Sequence, residues 1–560
     1  MTAQTCALKK PAGHVVRDDP KPLRFAVIYR DVDLAPWQQR SVGLMERSGY
    51  GRLVGCIRVT TAQGATSQLD KDAAGVNLKV VSCRGEKSER GFWQLDHEGV
   101  AVVRAMNLDA LLVFGIERLD ASVTEAARYG AWCFAGFGDR PDADAAIVAS
   151  PVRKGEPLTR IALIKMGLSA DDAIILKHAI LRTRRTIQEN FDHAVDVMSE
   201  WPASVAKMLT CGCELPVEHA SIAAFNDAQG LSLGQSTKGA VSELLRWLRS
   251  KIGSLFTFDQ WHIGLAHRSF QEVLEGGLPD DISWAPTPRW GVFYADPMGI
   301  EVADGLKVLC ERYDHWIGKG DICAFDCSAS KGWSKKAVDA IDEPFHLSYP
   351  YVLQTGDLKV CLPESCEAGA AFAYSIKADG AISSTEKKQF LNFEIADPTL
   401  IKHEGLWYLF GAEAREAQHA LRIWYSDSVE GPWTPHPANP VKCDVQTARP
   451  AGPIVRLNGK LYRPSQDSTY SYGSACNIME VVELSPTSFN EVCARKIEPN
   501  PRWSYPEGIH TLTTTRDGIL IDAKAVRITP LAPLLRIANF IAVRWRRRRL
   551  AAHRSSLSSS

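Results

Sequence analysis

The stretch EIADPTLIKHEGLWYLFG, residues Glu394–Gly411, places a polar Asp-Pro pair at the start of two apolar runs. Proline fixes φ and removes a backbone donor, and aspartate can bond its own backbone, so the pair predicts a turn. The alternative is that a rigid strand holds the Asp397 carboxylate at the mouth of a pocket. One copy of the pattern does not decide between these readings, but repeated copies would.

Four further segments repeat this layout of polar pair, apolar strand, glycine-containing turn and second apolar strand. They are VFYADPMGIEVADGLKVLCER, FHLSYPYVLQTGDLKVCLPES, QTARPAGPIVRLNGKLYRPSQ and YPEGIHTLTTTRDGILIDAKA. The residues at matching points lie 53, 48, 52 and 61 residues apart: Asp296, Tyr349, Asp397, Arg449 and His510. A period of about 50 residues with four strands per unit is typical of a propeller blade. The repeats therefore predict an all-β, five-bladed propeller over residues 259–528.

The innermost strand of each propeller blade lines the central channel. We therefore expect the five matching residues to converge on one axis. In this interpretation the proline is the structural part of each pair, and the residue before it is the functional part.

This half of the chain resembles, at the level of the fold, the five-bladed propellers of glycoside hydrolase family 43, whose Asp-Pro strands feed a carboxylate funnel. More specifically, it resembles the N-terminal domain of plant glucosamine inositolphosphorylceramide transferase and its bacterial homologues. The matching motifs lie between Trp261 and Lys524 and include HLSYP, LPES, ADPTLI, GLWYLF, EGPWTPHPANPV, ARPAG, GKLYRPSQD and YG. The separate glycosyltransferase domain of the plant protein has no counterpart in these residues, so its transferase activity is not carried over.

The resemblance to glycoside hydrolases implies roles for three carboxylates. Asp296 is expected to be a base or nucleophile, Asp397 an orienting carboxylate and Glu364 the acid. Glycosidases use one protonated and one ionised carboxylate, which these residues would supply. The alternative for each Asp-Pro carboxylate is a blade corner, and for Glu311 a surface or inter-blade salt bridge.

Six residues are expected to bind substrate: Tyr349, Arg449, Arg463, Gln466, Asp467 and His510. Arginine pairs bidentately with phosphate or carboxylate, so the two arginines could bind an anion. The alternative for Arg449 is neutralisation of the aspartates, and for His510 a buried hydrogen bond. No cluster of histidine and carboxylates has metal-ligand spacing, so we expect neither a metal nor a cofactor.

Residues 23–210 alternate between strand-like and helix-like segments. The strands predicted from apolar runs are LRFAVIYR (Leu23–Arg30), RLVGCIRV (Arg52–Val59), DALLVFG (Asp109–Gly115) and GAWCFAGFGD (Gly130–Asp139). This alternation favours an α/β domain with a doubly wound parallel sheet. No glycine fingerprint follows the first strand, so dinucleotide binding is not indicated.

The order of these elements resembles the N-terminal domain of methionyl-tRNA formyltransferase and sugar N-formyltransferases. That family uses an Asn, a His and an Asp around the formyl donor. This sequence has no suitable Asn after LLVFG, and it has Ala135 and Gly136 where a His would follow Phe134. Asp139 is the remaining counterpart. Formyl transfer needs a general base and a polarising group, so we expect a catalytically degenerate domain.

Composition narrows the classes of partner and compartment. The 560 residues carry no net charge, so no overall field favours nucleic acid. The 14 cysteines are scattered without a disulfide framework, and no apolar signal segment or membrane-spanning run occurs. These features predict a cytoplasmic protein.

Two segments outside the domains carry expectations of their own. Residues 211–258 are predicted to be a linker or bridging helix. Residues 529–560 form an apolar run followed by Trp545 and four arginines, Arg546 to Arg549, which suits an anionic membrane face. The alternative is a helix that packs on the domain and ends in a solvated charge run.

We therefore expect a carbohydrate-active protein, a glycosyltransferase or glycosidase-like enzyme of polysaccharide or glycolipid assembly. Its partner would be a sugar or nucleotide sugar, and its location the cytoplasmic side, peripheral to the inner membrane face. The alternatives are a non-catalytic glycan or nucleotide-sugar binding scaffold and a sugar N-formyltransferase. Facing carboxylates that handle protons would favour an enzyme, whereas a channel closed by Arg–Asp pairing would favour the scaffold.

Overall fold

The computed structural model describes residues 21–30, 33–61, 80–137, 145–167, 172–215, 256–328 and 330–557. Asp139 and residues 216–255 of the predicted bridging segment lie outside these ranges. The described residues fall into two compact units, one within 1–141, 163–177 and 196–222 and the other within 142–162, 178–195 and 223–560. The predicted domain limits at residues 210, 258 and 528 stay predictions.

An eight-stranded sheet is built from the first part of the chain. Its strands are β1 (Leu23–Arg30), β2 (Gly51–Thr60), β3 (Val80–Lys87), β4 (Trp93–Leu95), β5 (Ala110–Phe114), β6 (Ala131–Phe134), β7 (Leu158–Lys165) and β8 (Ile174–Arg182). Their order in the sheet is β4-β3-β2-β1-β5-β6-β7-β8. Strands β1, β2, β3, β5 and β6 pair in parallel, whereas β4 and β7 pair antiparallel to their neighbours β3 and β6. This topology confirms the predicted doubly wound α/β class.

The helices described between these strands and after them are α1 (Pro36–Arg47), α2 (His97–Ala105), α3 (Ala121–Thr124), α4 (Ala146–Lys154), α5 (Ile187–Met198) and α6 (Trp201–Thr210). Helix α2 begins after Asp96, whose Oδ1 accepts a hydrogen bond from the Gly99 backbone N–H at 2.8 Å. This N-cap satisfies one donor of the first helical turn. All five residues of β5 are buried, as expected of a central parallel strand.

Five antiparallel sheets, each of four or five strands, confirm the predicted five-bladed propeller. Blade 1 contains β11 (Val292–Val302), β12 (Gly305–Asp314), β13 (Lys319–Ser328), β14 (Gly332–Trp333) and β15 (Val338–Ile341). Blade 2 contains β16 (Ser348–Thr355), β17 (Leu358–Glu364), β18 (Ala371–Ile376) and β19 (Ile382–Leu391). Blade 3 contains β20 (Ala396–His403), β21 (Leu406–Ala412), β22 (Ala420–Ser426), β23 (Thr434–Pro435) and β24 (Lys442–Cys443). Blade 4 contains β25 (Val455–Leu457), β26 (Lys460–Asp467), β27 (Ala475–Leu484) and β28 (Phe489–Ile497).

Blade 5 joins the two ends of the propeller segment. It combines β9 (Thr257–Ala266) and β10 (Ser283–Trp284), which precede blade 1, with β29 (Leu512–Thr515) and β30 (Gly518–Ile528). Helix α7 (Phe270–Gly276) lies between β9 and β10 in the sequence. Strand β30 pairs antiparallel with β9 along its length, from Ile519 opposite Ala266 to Ile528 opposite Thr257. Because β9 precedes blade 1 and β30 follows blade 4, their pairing joins the two ends of the propeller segment and closes the ring. It also leaves neither strand as a free edge on that side.

The Xaa-Pro pair forms a β-bulge in the innermost strand of blades 1, 2 and 3. The register of the strand pairs shifts between Ala295 and Met298, between Ser348 and Tyr351, and between Ala396 and Thr399. Asp296, Tyr349 and Asp397 have φ of 51°, 42° and 47°. Such left-handed backbone is unfavourable for these residue types, by an amount on the order of 1–3 kcal/mol, and the proline has no N–H for the ladder. The pair is thus a bulge inside a strand, which breaks the pairing and turns one side chain toward the channel.

Helix α8 (Ala532–Leu557) follows the propeller and packs on it with one face. Ala532 and Leu535 are buried against Phe258 of β9. Further along, Arg546 donates two hydrogen bonds to the Glu367 carboxylate, at 2.9 and 3.0 Å. In the described part of the chain, no helix is long and apolar enough to cross a membrane.

Candidate functional site

Five residues from the matching points of the repeats lie in one network of contacts. Asp296 Oδ2 accepts a hydrogen bond from the Tyr349 backbone N–H at 3.2 Å, and Asp296 Oδ1 lies 3.2 Å from His510 Nε2. Arg449 Nε donates to Asp397 Oδ2 at 2.5 Å. Burial and the nearby Asp397 and Asp296 carboxylates raise the pKa of the Tyr349 hydroxyl. Asp296, Tyr349 and Asp397 lie on the innermost strands of blades 1 to 3, whereas Arg449 and His510 precede β25 and β29, and the fold brings these five distant side chains together.

Asp397 and Arg449 form a bidentate ion pair between blades 3 and 4. The second hydrogen bond runs from Arg449 Nη2 to Asp397 Oδ1 at 3.3 Å, and the two side chains are only 3% and 14% exposed. Glu364 at the end of β17 joins this pair, because its Oε2 accepts the Asp397 backbone N–H at 3.2 Å. Burial lowers the pKa of Arg449, but the Asp397 carboxylate outweighs this effect and raises that pKa well above its usual range.

Glu364 combines a shifted pKa with access to a cavity. Burial and the neighbouring Asp397 carboxylate raise the pKa of Glu364 to about 8, so its carboxyl keeps a proton at neutral pH. The cavity has a volume of about 450 Å³ and is lined by Glu364 together with His346, Cys366, Glu367, Glu394, Ala414, Arg547 and Leu550. A protonated carboxyl beside a charged ion pair and an open cavity can donate a proton to a ligand.

Asp296, His510 and Asp522 form a buried charged triad between blades 5 and 1. His510 Nδ1 lies 2.9 Å from Asp522 Oδ1, and its Nε2 faces Asp296. The backbone N–H groups of Asp296 and His510 also donate to Asp522, at 2.9 and 3.0 Å. Burial lowers the pKa of His510, but the two carboxylates outweigh this effect and raise the pKa to about 10.

The protonation state of His510 affects both the ionisation of Asp296 and the ability of the triad to bind a metal ion. Burial raises the pKa of Asp296, but the facing His510 lowers it below the ordinary value, so Asp296 is ionised. One potential ligand atom from each of Asp296, His510 and Asp522 lies within 4.8 Å of the others, a spacing that a metal ion could use. The expectation that no histidine and carboxylate cluster has metal-ligand spacing was therefore wrong for these three residues. A metal ion could bind them only if His510 gave up its proton, because a metal ligand must be a neutral imidazole.

Glu311 on β12 is a second buried carboxyl with a raised pKa. Burial and the Asp296 carboxylate raise the pKa of Glu311 well above its usual range. Its Oε1 lies 3.7 Å from His346 Nε2. Because burial lowers the pKa of His346 to about 4, its imidazole carries no charge at neutral pH, and this contact is not the salt bridge expected from the sequence.

Tyr472 and Trp261 supply aromatic surface to the network and were not expected from the sequence. The Arg449 guanidinium carbon lies 5.2 Å from the centre of the Tyr472 ring. The His510 ring centre lies 5.1 Å from that of Tyr472 and 4.0 Å from that of Trp261. Neither aromatic residue occupies a matching point of the repeats, so no periodic pattern could have marked it. Asp522 was also missed, although it lies on the second strand of its blade, as the predicted Glu364 and Asp467 do in theirs.

Strand β26 holds the other predicted binding residues inside blade 4. Arg463 is fully buried, and its Nε and Nη2 donate to Glu491 at 2.9 and 2.6 Å. Asp467 Oδ2 lies 3.1 Å from Lys496 Nζ. Gln466 Nε2 donates to a backbone carbonyl at 2.9 Å, and its buried Oε1 has no partner among the described residues. These contacts engage Arg463 and Asp467 within the blade, and their role in substrate binding stays a prediction.

Residues 285–502 match a known family, described as glucosamine inositolphosphorylceramide transferase 1, N-terminal. The Arabidopsis thaliana protein glucosamine inositolphosphorylceramide transferase 1 is 32% identical over 208 residues, which cover 36% of this chain and 27% of the relative. The match thus spans about a quarter of that relative. The matched residues include blades 1 to 4, with Asp296, Glu364, Asp397 and Arg449, and this confirms the resemblance expected from the motifs.

Parts of the chain match solved structures at low sequence identity and low TM-score. A family 117 glycoside hydrolase of the marine bacterium Zobellia galactanivorans has a TM-score of 0.30 and 13% identity, covering 48% of this chain and 90% of that chain. Glycinamide ribonucleotide transformylase 1 of Symbiobacterium toebii has a TM-score of 0.26 and 13% identity, covering 34% of this chain and 89% of that chain. Neither likeness bears on function.

Proposed function

We propose that the protein is carbohydrate-active and that it binds a sugar or nucleotide sugar in the propeller channel at Glu364. The observation that carries this proposal is the Glu364 carboxyl, which has a pKa of about 8 and lies beside the Asp397–Arg449 pair. This carboxyl lines a cavity of about 450 Å³, a volume within the range of small-molecule sites. The name of the matched relative, a transferase, supports sugar transfer as the reaction class.

In the proposed reaction Glu364 gives its proton to the oxygen that leaves the anomeric carbon of the sugar. The proton neutralises the charge that develops on that oxygen as the carbon–oxygen bond breaks. An acceptor hydroxyl, or water in a hydrolase, then bonds to the anomeric carbon and loses its proton to a base. Asp296 is ionised as a base or nucleophile must be, and its assignment to that role stays a prediction.

A binding and turnover screen tests the proposal. The melting temperature of the purified wild-type chain is measured with each member of a panel of nucleotide sugars and glycosides. In a separate incubation without heating, the products formed from each compound are analysed by mass spectrometry. A ligand that binds the folded state raises the melting temperature by mass action. Glu364→Gln keeps an oxygen for the Asp397 N–H but carries no transferable proton. We therefore expect the dissociation constant of Glu364→Gln to lie within a few-fold of the wild-type value and its turnover rate to be lower by a factor of roughly 10²–10⁴.

The matched control is Glu430→Gln, because Glu430 is a carboxylate with 62% exposure that pairs with Lys388 away from the channel. This variant should bind and turn over like wild type. A panel without any stabilising compound, or unchanged turnover in Glu364→Gln, would contradict the proposal.

A non-catalytic glycan or nucleotide-sugar binding scaffold is the second candidate. The Asp397–Arg449 pair favours it, because each of the two buried charges is already compensated by the other. A scaffold would give a raised melting temperature with the sugar recovered intact from the wild-type chain. Detected conversion of the same ligand would exclude it.

We also propose a cytoplasmic location on the inner face of the membrane. The cysteine usage supports this placement, because none of the 13 cysteines in the described part of the chain forms a disulfide bond. Fractionation of cells that express the tagged chain would test it. Recovery in the cytoplasmic and inner-membrane fractions is expected, and recovery from the periplasm or medium would contradict it.

A further inference from the structure

The outward face of helix α8 exposes a continuous apolar surface. Its large apolar side chains are 57–65% exposed: Leu534, Ile537, Phe540, Ile541 and Trp545. They recur at helical spacing on the side opposite the buried Ala532 and Leu535. A surface of this composition on a folded domain is expected to have a partner.

Basic side chains adjoin this apolar surface. The exposed arginines in the described part of the helix are Arg536, Arg544, Arg547, Arg548 and Arg549, four of which lie near Trp545, and the helix sequence contains no acidic residue. The Arg549 guanidinium lies 4.3 Å from the Trp545 ring centre. A cavity of about 520 Å³ on this face is lined by Phe540, Val543, Arg544, Arg547 and Arg548, so apolar and cationic walls meet in one place.

We infer that the outward face of helix α8 docks on an anionic lipid bilayer. The apolar side chains would enter the boundary of the acyl chains, Trp545 would lie at the headgroup level, and the arginines would meet lipid phosphates. A second copy of the helix fits this face less well, because the two arginine clusters would repel each other. Charge complementarity therefore favours the bilayer over self-association.

The inner face of the helix stays on the propeller in this arrangement. Its contacts with the blades include the Arg546–Glu367 pair and a hydrogen bond of 3.0 Å from the Tyr313 hydroxyl to Asn539 Oδ1. The helix would thus lie parallel to the membrane, between the lipid and the blades. Docking does not depend on the proposed reaction at Glu364.

Docking would also bring the candidate site to the bilayer. Arg547 lines both the cavity that contains Glu364 and the cavity on the outward face of the helix. The mouth of the Glu364 cavity would then open beside the lipid headgroups. This consequence rests on the proposed function, whereas the docking surface does not.

Vesicle flotation with the full chain tests the inference. The vesicles contain phosphatidylcholine alone or phosphatidylcholine with phosphatidylserine. We expect wild type to float with the anionic vesicles and to be released by salt, which screens the arginines. Arg544→Glu/Arg548→Glu should weaken this binding by about tenfold or more. Ile537→Asp/Ile541→Asp should weaken it as well, because it removes the apolar insertion.

Two control variants change exposed side chains on the blades. Val338→Asp alters an apolar side chain that is 63% exposed, and Lys388→Glu reverses a charge that is 71% exposed. Both should float like wild type, and all variants should melt within a few degrees of it, since every altered side chain is exposed.

Three results would overturn the inference. They are a wild type that does not float, equal flotation with neutral and anionic vesicles, and helix variants that float like wild type. Dimerisation in vesicle-free solution that both helix variants abolish would also overturn it and would assign this face to a second copy of the chain.

Discussion

Two carboxyl groups of the propeller channel, those of Glu364 and Asp296, have pKa values shifted in opposite directions because their neighbours differ. Burial and the neighbouring Asp397 carboxylate raise the pKa of Glu364 to about 8, so this carboxyl keeps its proton at neutral pH. Asp296 faces the protonated His510, so its pKa falls below the ordinary value although the group is buried. Groups whose environments separate their pKa values can act as acid and base in one site.

Repetition in the sequence revealed part of this site. Asp296, Asp397, Arg449 and His510 stand at matching points, and the structure brings them together. Asp522 was missed, although it lies on the second strand of its blade, as the predicted Glu364 and Arg463 do in theirs. The ion pair that engages Arg463 could not be predicted, since Glu491 lies 28 residues away on another strand.

At the scale of single residues, we predict that stability falls as pH rises through the range in which His510 loses its proton. The pKa of His510 is raised from 6.5 to about 10 in the fold. Its stabilising contribution is therefore complete below pH 6.5 or so and is lost as pH rises toward 10. The loss is on the order of a few kcal/mol. Urea unfolding of wild type from pH 6 to pH 10 should show this decline.

His510→Gln should flatten that decline, because the variant has no proton to lose. His403→Gln, on the hairpin of blade 3, is the matched control and should keep the slope of wild type. If the free energy of unfolding fell with pH equally steeply in His510→Gln and in wild type, His510 would not be the cause of the pH dependence.

At the scale of elements, the opening Asp-Pro pattern had two possible readings, a turn or a carboxylate held by a strand. The structure is a bulge inside a strand, which combines both, because the missing proline N–H breaks the ladder and the left-handed residue redirects its side chain. Sequence periodicity located the strands well, since apolar alternation and glycine turns are local features. The bulge depends on pairing with a second strand, so the local pattern did not reveal it.

The hairpin turns of blades 3 and 4 provide a matched test of backbone strain. Glu404-Gly405 and Asn458-Gly459 have positive φ at both residues, 48° and 90° in the first turn and 50° and 80° in the second. Asparagine tolerates this backbone better than glutamate. Glu404→Asn should therefore raise the free energy of unfolding by roughly 0.5–1 kcal/mol.

The reciprocal change, Asn458→Glu, should lower the free energy of unfolding by a similar amount. Urea unfolding at one pH measures both variants against wild type. Two changes of the same sign would contradict the assignment of strain to the first residue of each turn.

At the scale of the whole molecule, the period of the repeats predicted the number of blades but not how the ring closes. Blade 5 takes β9 from before blade 1 and β30 from after blade 4, so its strands lie at opposite ends of the propeller segment. No local pattern encodes such a pairing. The same closure places Trp261 of β9 against His510, which completes the channel network.

The ring also explains why the pKa of Glu364 reports on the whole assembly. Glu364 belongs to blade 2, Asp397 to blade 3, and Arg449 pairs with Asp397 from the start of blade 4. A raised pKa at Glu364 requires that these blades meet around one buried channel. The protonation state of this single group is therefore a test of both fold and site.

Infrared difference titration of the Glu364 carboxyl tests the central claim most directly. We predict that wild type shows a protonated carboxyl band that disappears with a midpoint near pH 8 and that Glu364→Gln lacks this band. A midpoint near 4.5, the ordinary value for glutamate, or the same component with a midpoint near pH 8 in Glu364→Gln would contradict the account, whereas a band from Glu311 would be common to both proteins and cancel in their difference.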